Sequence, residues 1–376
     1  MILRNFALAG IALLLVAACY GREGQSGSIS VDREAFVSGL GGSPNVIIRT
    51  AEGNLVVAGS WQSAWAVSLD DTGHVLWRYR KELDPAETVG QQSAYHGAVQ
   101  LANGNILLCG ETVANGGRGL ITILDRQGRL IEDRQVAVTH TNGFASFQQC
   151  FFWKDNIAVI GTLVGSSWGQ PVGWVLRLDK NGAPAGEVVS PKLFSSRVVA
   201  GPNGSLVFAT HGSGDQGEET RVSILDSQLQ TIASRSFSSS AFGLLAPVAS
   251  PSGAELIVYQ RGEKAILYSL SDHLEDAQSP RAIQPIYIDQ GRGYVFPDQS
   301  LLLFGYVRKG GPYTAVVAKI AVSGKTDFLH TFTPEFASFT TGDVLPLAAD
   351  RFASVRLRAG DTAAQTGIVI SWATIK

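Results

Sequence analysis

Methionine and cysteine are the scarcest residue types here, one and three among 376, and only 16% of the residues carry charge. No run of Lys and Arg exceeds two residues and the net charge is −2, so there is no basic patch to neutralise phosphates. That argues against nucleic acid and anionic membrane surfaces as partners. Long helical apolar periods are missing, which leaves β structure as the way to build a core. Also missing are His-Glu-x-x-His, a phosphate loop and any cysteine pair at zinc spacing. The six histidines (74, 96, 140, 211, 273 and 330) are scattered, none within metal-ligand spacing of another along the chain. These absences point away from common enzymes, and no cofactor is expected.

What is present begins at the amino terminus. Met1-Ile2-Leu3-Arg4 leads into an apolar stretch from Phe6 to Ala18 and then Cys19. The stretch is shorter than the about 20 residues a membrane-spanning helix needs, and small residues precede the cysteine, as in a signal peptide. Leu15-Val16-Ala17-Ala18-Cys19 resembles the bacterial lipobox. The resemblance implies cleavage after residue 18, diacylglycerol on the Cys19 thiol and an acylated amino terminus, and several acyl chains together anchor firmly. Tyr20 stands where inner-membrane retention shows Asp, so an outer-membrane lipoprotein facing the periplasm or the cell surface is expected. Residues 20–28 are Gly, Ser, Gln and charge, a tether. The expected organisation is therefore a signal peptide over 1–18, a lipidated tether over 19–28 and one domain over 29–376. In an oxidising compartment Cys109 and Cys150 can pair; equally, each sits in an apolar strand pattern and suits burial as a free, small hydrophobe.

One phrase recurs through the domain: an apolar strand, a tight turn, then a second apolar strand that often ends in Gly. It is clearest at Asn54-Leu55-Val56-Val57-Ala58-Gly59, Asn105-Ile106-Leu107-Leu108-Cys109-Gly110 and Asn156-Ile157-Ala158-Val159-Ile160-Gly161, and weaker copies follow at Leu206, Leu256, Leu301 and Phe352. The first apolar residues after the turns are spaced by 51, 51, 49, 50, 45 and 51 residues. Each copy leads into a second hairpin, as at Leu69-Asp70-Asp71-Thr72-Gly73 and Leu124-Asp125-Arg126-Gln127-Gly128. Four antiparallel strands repeated seven times predict an all-β fold, a seven-bladed β-propeller. The last unit lacks one strand, which Ser28–Val37 can supply, so that the amino-terminal strand closes the ring.

The run Leu69-Asp70-Asp71-Thr72-Gly73-His74-Val75-Leu76-Trp77 resembles the blade signature of the quinoprotein-like propellers, a family that includes the lipoprotein propeller of the outer-membrane barrel-assembly machinery. Later copies keep Leu-Asp, but Glu132 or Asp133 and Glu187 or Val188 stand where the tryptophan would be. Asp70, Asp125 and Asp179 read as turn formers, Asp bonding its own backbone and Gly taking positive φ, not as calcium ligands.

Asn45, His96, Gln148, Arg197, Asp289 and Asp343 fall on innermost strands or the loops into them, near the central channel. The longest insertions (82–95, 139–146, 164–172, 211–220, 279–291 and 331–342) fall on one face, where loops on a rigid scaffold carry binding. The candidate contacts there are Tyr95, His96, His140, Trp168 and His211, with Trp61, Tyr306 and Arg308 in shorter loops nearby; aromatics and Arg are the usual interface anchors. The expected function is a lipid-anchored, monomeric, non-enzymatic platform for a protein partner of the envelope, either a scaffold or an immunity protein that blocks a toxin. The alternatives are a metal-dependent hydrolase or lactonase at the axis, and a carbohydrate-binding lipoprotein using loop aromatics.

Overall fold

Apolar strands and tight turns alternate along the chain, and in the computed structural model each strand from residue 43 onward pairs antiparallel with its neighbour in sequence. The structure describes residues 29–376 except 62, 83–92, 114–116, 137–143, 166–171, 191–196, 202–203, 215–216, 227, 238–241, 251–252, 261–264, 272, 284–288, 297–299, 308–313, 322–325, 332–340, 349, 359–360 and 363–364. The signal peptide, Cys19 and the tether lie outside the described residues. Among the described residues there are seven four-stranded antiparallel sheets. Six are continuous in sequence, over 43–80, 93–136, 144–190, 197–237, 242–283 and 289–331. The seventh takes three strands from 341–375 and its fourth from the other end of the domain: Ile29–Ser38 pairs with Gly367–Ile375.

A β-bulge recurs at one position in all of these sheets. The outermost strand carries one extra residue just after the turn, at Leu76, Ile131, Ala185, Ile232, Ala277 and Asp327. In the seventh sheet the same place is held by Asp32, on the strand donated from the amino terminus. A bulge adds local twist, so a repeated bulge gives each sheet the same coil.

The turns before those bulges are built alike. Asp70, Asp125, Asp179 and Asp226 each accept the backbone amides two and four residues on, at 2.8–2.9 Å. Ser271 makes the same pair of contacts at 3.2 Å. The turn's fourth residue has positive φ, natural for Gly73 (89°), Gly128 (77°) and Gly182 (94°). Where the glycine is gone, Leu229 and Leu274 hold φ of 62° instead. Geometry thus outlasts the motif that signals it.

Apolar clusters fill the seams between neighbouring sheets: first and second, second and third, third and fourth, fourth and fifth, sixth and seventh, and seventh and first. The fifth and sixth touch through Phe242–Ser250 and Asp289–Val295. Middle strands are therefore covered on both faces. In Ile106–Thr112, Ile106 and Leu108 pack toward the first sheet while Leu107 and Cys109 pack toward the third. Outermost strands such as Leu130–Val136 alternate between exposed and half-buried.

Two expectations are corrected here. Residues 211–220 are not a loop: Leu206–Gly214 and Gly217–Leu225 pair through Gly212 with Glu219 and Ser213 with Glu218. Ladder bonds come from the backbone, so a hairpin of Gly, Ser, Thr and acidic residues forms without any apolar alternation in its sequence. Trp61 and Tyr306 likewise lie in strands, Leu55–Trp61 and Leu301–Val307, rather than in loops.

Candidate functional site

The innermost strands also carry bulges, near the ends where the chain enters from the preceding sheet. In the first three sheets the extra residues are Asn45, His96 and Gln148, and in the seventh Gly342 and Asp343 stand at the same level. The strand-ending glycines of the sequence repeat make these bulges possible. A β-carbon on Gly59, Gly110 or Gly161 would stand 2.1, 1.8 or 2.5 Å from the carbonyl oxygen of Ser43, Ala94 or Ser146 on the innermost strand. No side chain fits there, and the bulge re-aims the residue opposite.

The re-aimed side chains form a polar belt across three seams. From the seventh sheet, Asp343 accepts the Ile47 amide of the first on Oδ2 at 3.3 Å and its neighbour's amide, Val344, on Oδ1 at 2.9 Å. Asn45 of the first sheet donates to the Tyr95 carbonyl of the second at 2.8 Å and lies 3.4 Å from His96 Nδ1. The other His96 nitrogen is 3.5 Å from Glu111 Oε1, with the two side chains 24% and 23% exposed. Glu111 reaches Ser146 of the third sheet, and Ser146 accepts from Gln148. Burial works against the Glu111 charge, but the contacts with His96 and Ser146 outweigh it and hold its carboxyl below the ordinary range. Asp343 and Asn45 use polar atoms to hold seams together. The His96 and Glu111 side chains are each about a quarter exposed, but His96 Nε2 is itself buried without a hydrogen-bond partner, so the Glu111 carboxylate is the part of the belt suited to receive a polar group from outside.

Of the other sequence candidates, Tyr95 is not a surface contact. It is fully buried between the first and second sheets. Its hydroxyl donates to Thr122 Oγ1 at 2.7 Å, Thr122 donates to Asp133 Oδ1 at 2.7 Å, and Lys81 bonds the other Asp133 oxygen. Burial drives the Tyr95 phenol well above its usual pKa and raises Tyr79 beside it to about 12. A large phenol with a buried partner for its hydroxyl closes a seam. Trp61 pairs with Ser63 at the end of its hairpin, His211 lies opposite Thr220, and Tyr306 lies between Asp289 and Ala315. His140, Trp168 and Arg308 lie outside the described residues. So does most of Gly165-Ser166-Ser167-Trp168-Gly169, which has Gly-x-Ser-x-Gly spacing but joins two antiparallel strands, Asn156–Val164 and Val172–Asp179, with no helix behind it. That context is not the strand–turn–helix that exposes a nucleophilic serine.

Glu111 was not among the sequence candidates. Its signal lies in the aligned repeat: at the same offset from the turn the other copies carry Ser60, Thr162, His211, Arg261, Tyr306 and Leu357, and an acid stands only here. Among the described residues no three of His, Cys, Asp and Glu converge as metal ligands.

No family pattern matches the chain, and no curated protein is similar to it. Solved structures are similar in shape. A fungal alcohol oxidase of the AA5 family, determined in complex with copper, shares 14% identity at a TM-score of 0.54 over 92% of this chain and 77% of that one. The WD40 domain of Neurospora crassa Pan2 shares 10% at 0.52 over 89% of each. A Bacteroides caccae protein of unknown function shares 14% at 0.46, over 76% of this chain and 96% of that one. At such identities the likeness concerns the fold alone, an all-β, propeller-like stack of four-stranded sheets.

Proposed function

We propose that the chain is an outer-membrane lipoprotein, lipidated at Cys19, whose domain is a seven-bladed propeller closed by Ile29–Ser38 and binds one protein partner of the envelope. The binding end is the one that carries the polar belt, and the role is that of a scaffold or an immunity protein. The observation that carries this reading is the His96–Glu111 pair, held half-open at the entry end of the innermost strands by neighbours on three sheets. A carboxylate beside an imidazole and an amide can receive a cationic or amide side chain, and a rigid scaffold lowers the entropy cost of receiving it. The shared bulge position and the apolar filling of the seams support the closed ring. The lipobox supports the anchor.

The test is retrieval of a stoichiometric partner from envelope and secreted fractions by the chain starting at residue 20. Wild type, His96→Ala/Glu111→Gln, Trp168→Ala and Arg308→Ala would be compared. The proposal expects a partner held by wild type and lost by the His96/Glu111 double variant. Equal retention by all four, or no saturable partner, would overturn it. Fatty-acid labelling that survives Cys19→Ala would separately remove the anchor.

A further inference from the structure

Cys109 and Cys150 sit on different sheets, in Ile106–Thr112 and Phe144–Trp153, yet their sulfurs converge. Gly97 lies opposite Cys109 in the second sheet. A β-carbon on Gly97 would stand 2.7 Å from Cys109 Sγ and 3.1 Å from Cys150 Sγ. The space left by its missing side chain is what both thiols occupy, and they hydrogen-bond to each other. Both are free in this structure; Cys109 is fully buried and Cys150 is 6% exposed.

We propose that these residues are a disulfide site that staples the second sheet to the third across their seam. Two apolar side chains would fill the same space, but only a thiol pair in contact can be joined. The reaction consumes one disulfide oxidant. One cysteine thiolate attacks an oxidant sulfur and releases the first oxidant thiol; the other thiolate then attacks the mixed disulfide and releases the second. Two electrons pass to the oxidant, and the two thiol protons leave with it or to water. Burial pushes the Cys109 thiol well up, so the attacking thiolate is scarce once the seam has closed. The bond therefore forms while the sheets are docking, and closes a loop of roughly 40 residues. Its chemistry is independent of the partner; only the oxidising setting rests on the export reading.

The experiment uses the chain from residue 20, so that Cys109 and Cys150 are its only cysteines. It is denatured, refolded with or without glutathione disulfide, then unfolded and alkylated for intact-mass measurement. Oxidative refolding is expected to leave no alkylatable thiol and a mass about 2 Da below the reduced chain. It should also raise the thermal midpoint by on the order of 5 °C, reversibly with dithiothreitol. Cys109→Ala and Cys150→Ala should each abolish the rise and leave a single alkylatable thiol. Oxidant added after folding should act at least about tenfold more slowly. Two alkylatable thiols after every oxidising refolding, or disulfide-linked dimers instead of the internal bond, would overturn the proposal.

Discussion

Asp70 shows what one carboxylate does in a repeated turn. It accepts the Thr72 hydroxyl at 2.6 Å and the amides of Thr72 and His74, and with the Thr72 hydroxyl foremost these hold its pKa down at about 2 against an ordinary 3.8. The folded pKa is depressed, so the stabilisation is present above the ordinary carboxylate range and is lost as pH falls toward the folded value. Denaturant midpoints of wild type and Asp70→Ala should therefore differ most near neutrality, with the gap narrowing from about pH 4 and closing near pH 2. A gap that stays constant with pH would show that the carboxylate does not act through its charge. Asp125 and Asp179 share the downward shift and should behave alike. At this scale the sequence was legible: Asp followed three residues later by Gly announces the turn. Leu229 and Leu274 were not legible, because nothing local marks a leucine for positive φ; the sheets on either side force it there.

Between elements, the joint of the first and second sheets is partly ionic. Lys81 is 8% exposed and bonds Asp133, which also accepts Thr122, itself bonded to Tyr95. Removing the partly exposed Asp133 leaves the nearly buried Lys81 ammonium without its partner. Asp133→Ala should cost about 3 kcal/mol in equilibrium denaturation, and Lys81→Met/Asp133→Leu should recover most of the loss. A loss within about 0.5 kcal/mol would mean that water already solvates Lys81 in the native seam. Nothing in the strand pattern predicted this chain of contacts, because Asp133 occupies an exposed-looking position of an outermost strand. Elsewhere arginines three residues past the outer bulge bridge the seams, Arg134 reaching the Gly182 carbonyl at 3.3 Å and Arg235 the Leu274 carbonyl at 3.0 Å. In the first sheet Trp77 packs against Gly128 instead: a β-carbon on Gly128 would stand 2.5 Å from its ring. In the second and fourth sheets an arginine two positions further along the strand thus bridges the seam as Trp77 does in the first.

For the whole molecule, the joint between the chain's two ends carries the most consequence. Val37 is 1% exposed, Glu34 accepts Ser371 at 2.8 Å and Arg356 at 3.1 Å, and Arg33 stacks over Trp372 at 4.1 Å. Starting the chain at residue 39 removes that strand and leaves Gly367–Ile375 as an open edge. The thermal midpoint should fall by on the order of 10 °C, and the shortened chain should self-associate in size-exclusion chromatography. An unchanged midpoint would show that the seventh sheet does not need its fourth strand.

The alternation of apolar strands and turn residues, repeated at a near-constant step, determined by itself that the chain folds as four-stranded antiparallel units, because pairing between neighbours in sequence requires only local turns. The spacing also put Asn45, His96 and Asp343 at equivalent places in their units. Only the tertiary structure decided what those places mean. Whether a side chain faces the axis, a seam or solvent depends on bulges that shift the register by one residue. Whether a tyrosine is an anchor or a seam plug depends on what the next sheet presents to it. Tyr95 and His96 are adjacent in the chain; Tyr95, paired in the ladder, is sealed between two sheets, and His96, the bulged residue with no partner in the ladder, stands half-open beside Glu111.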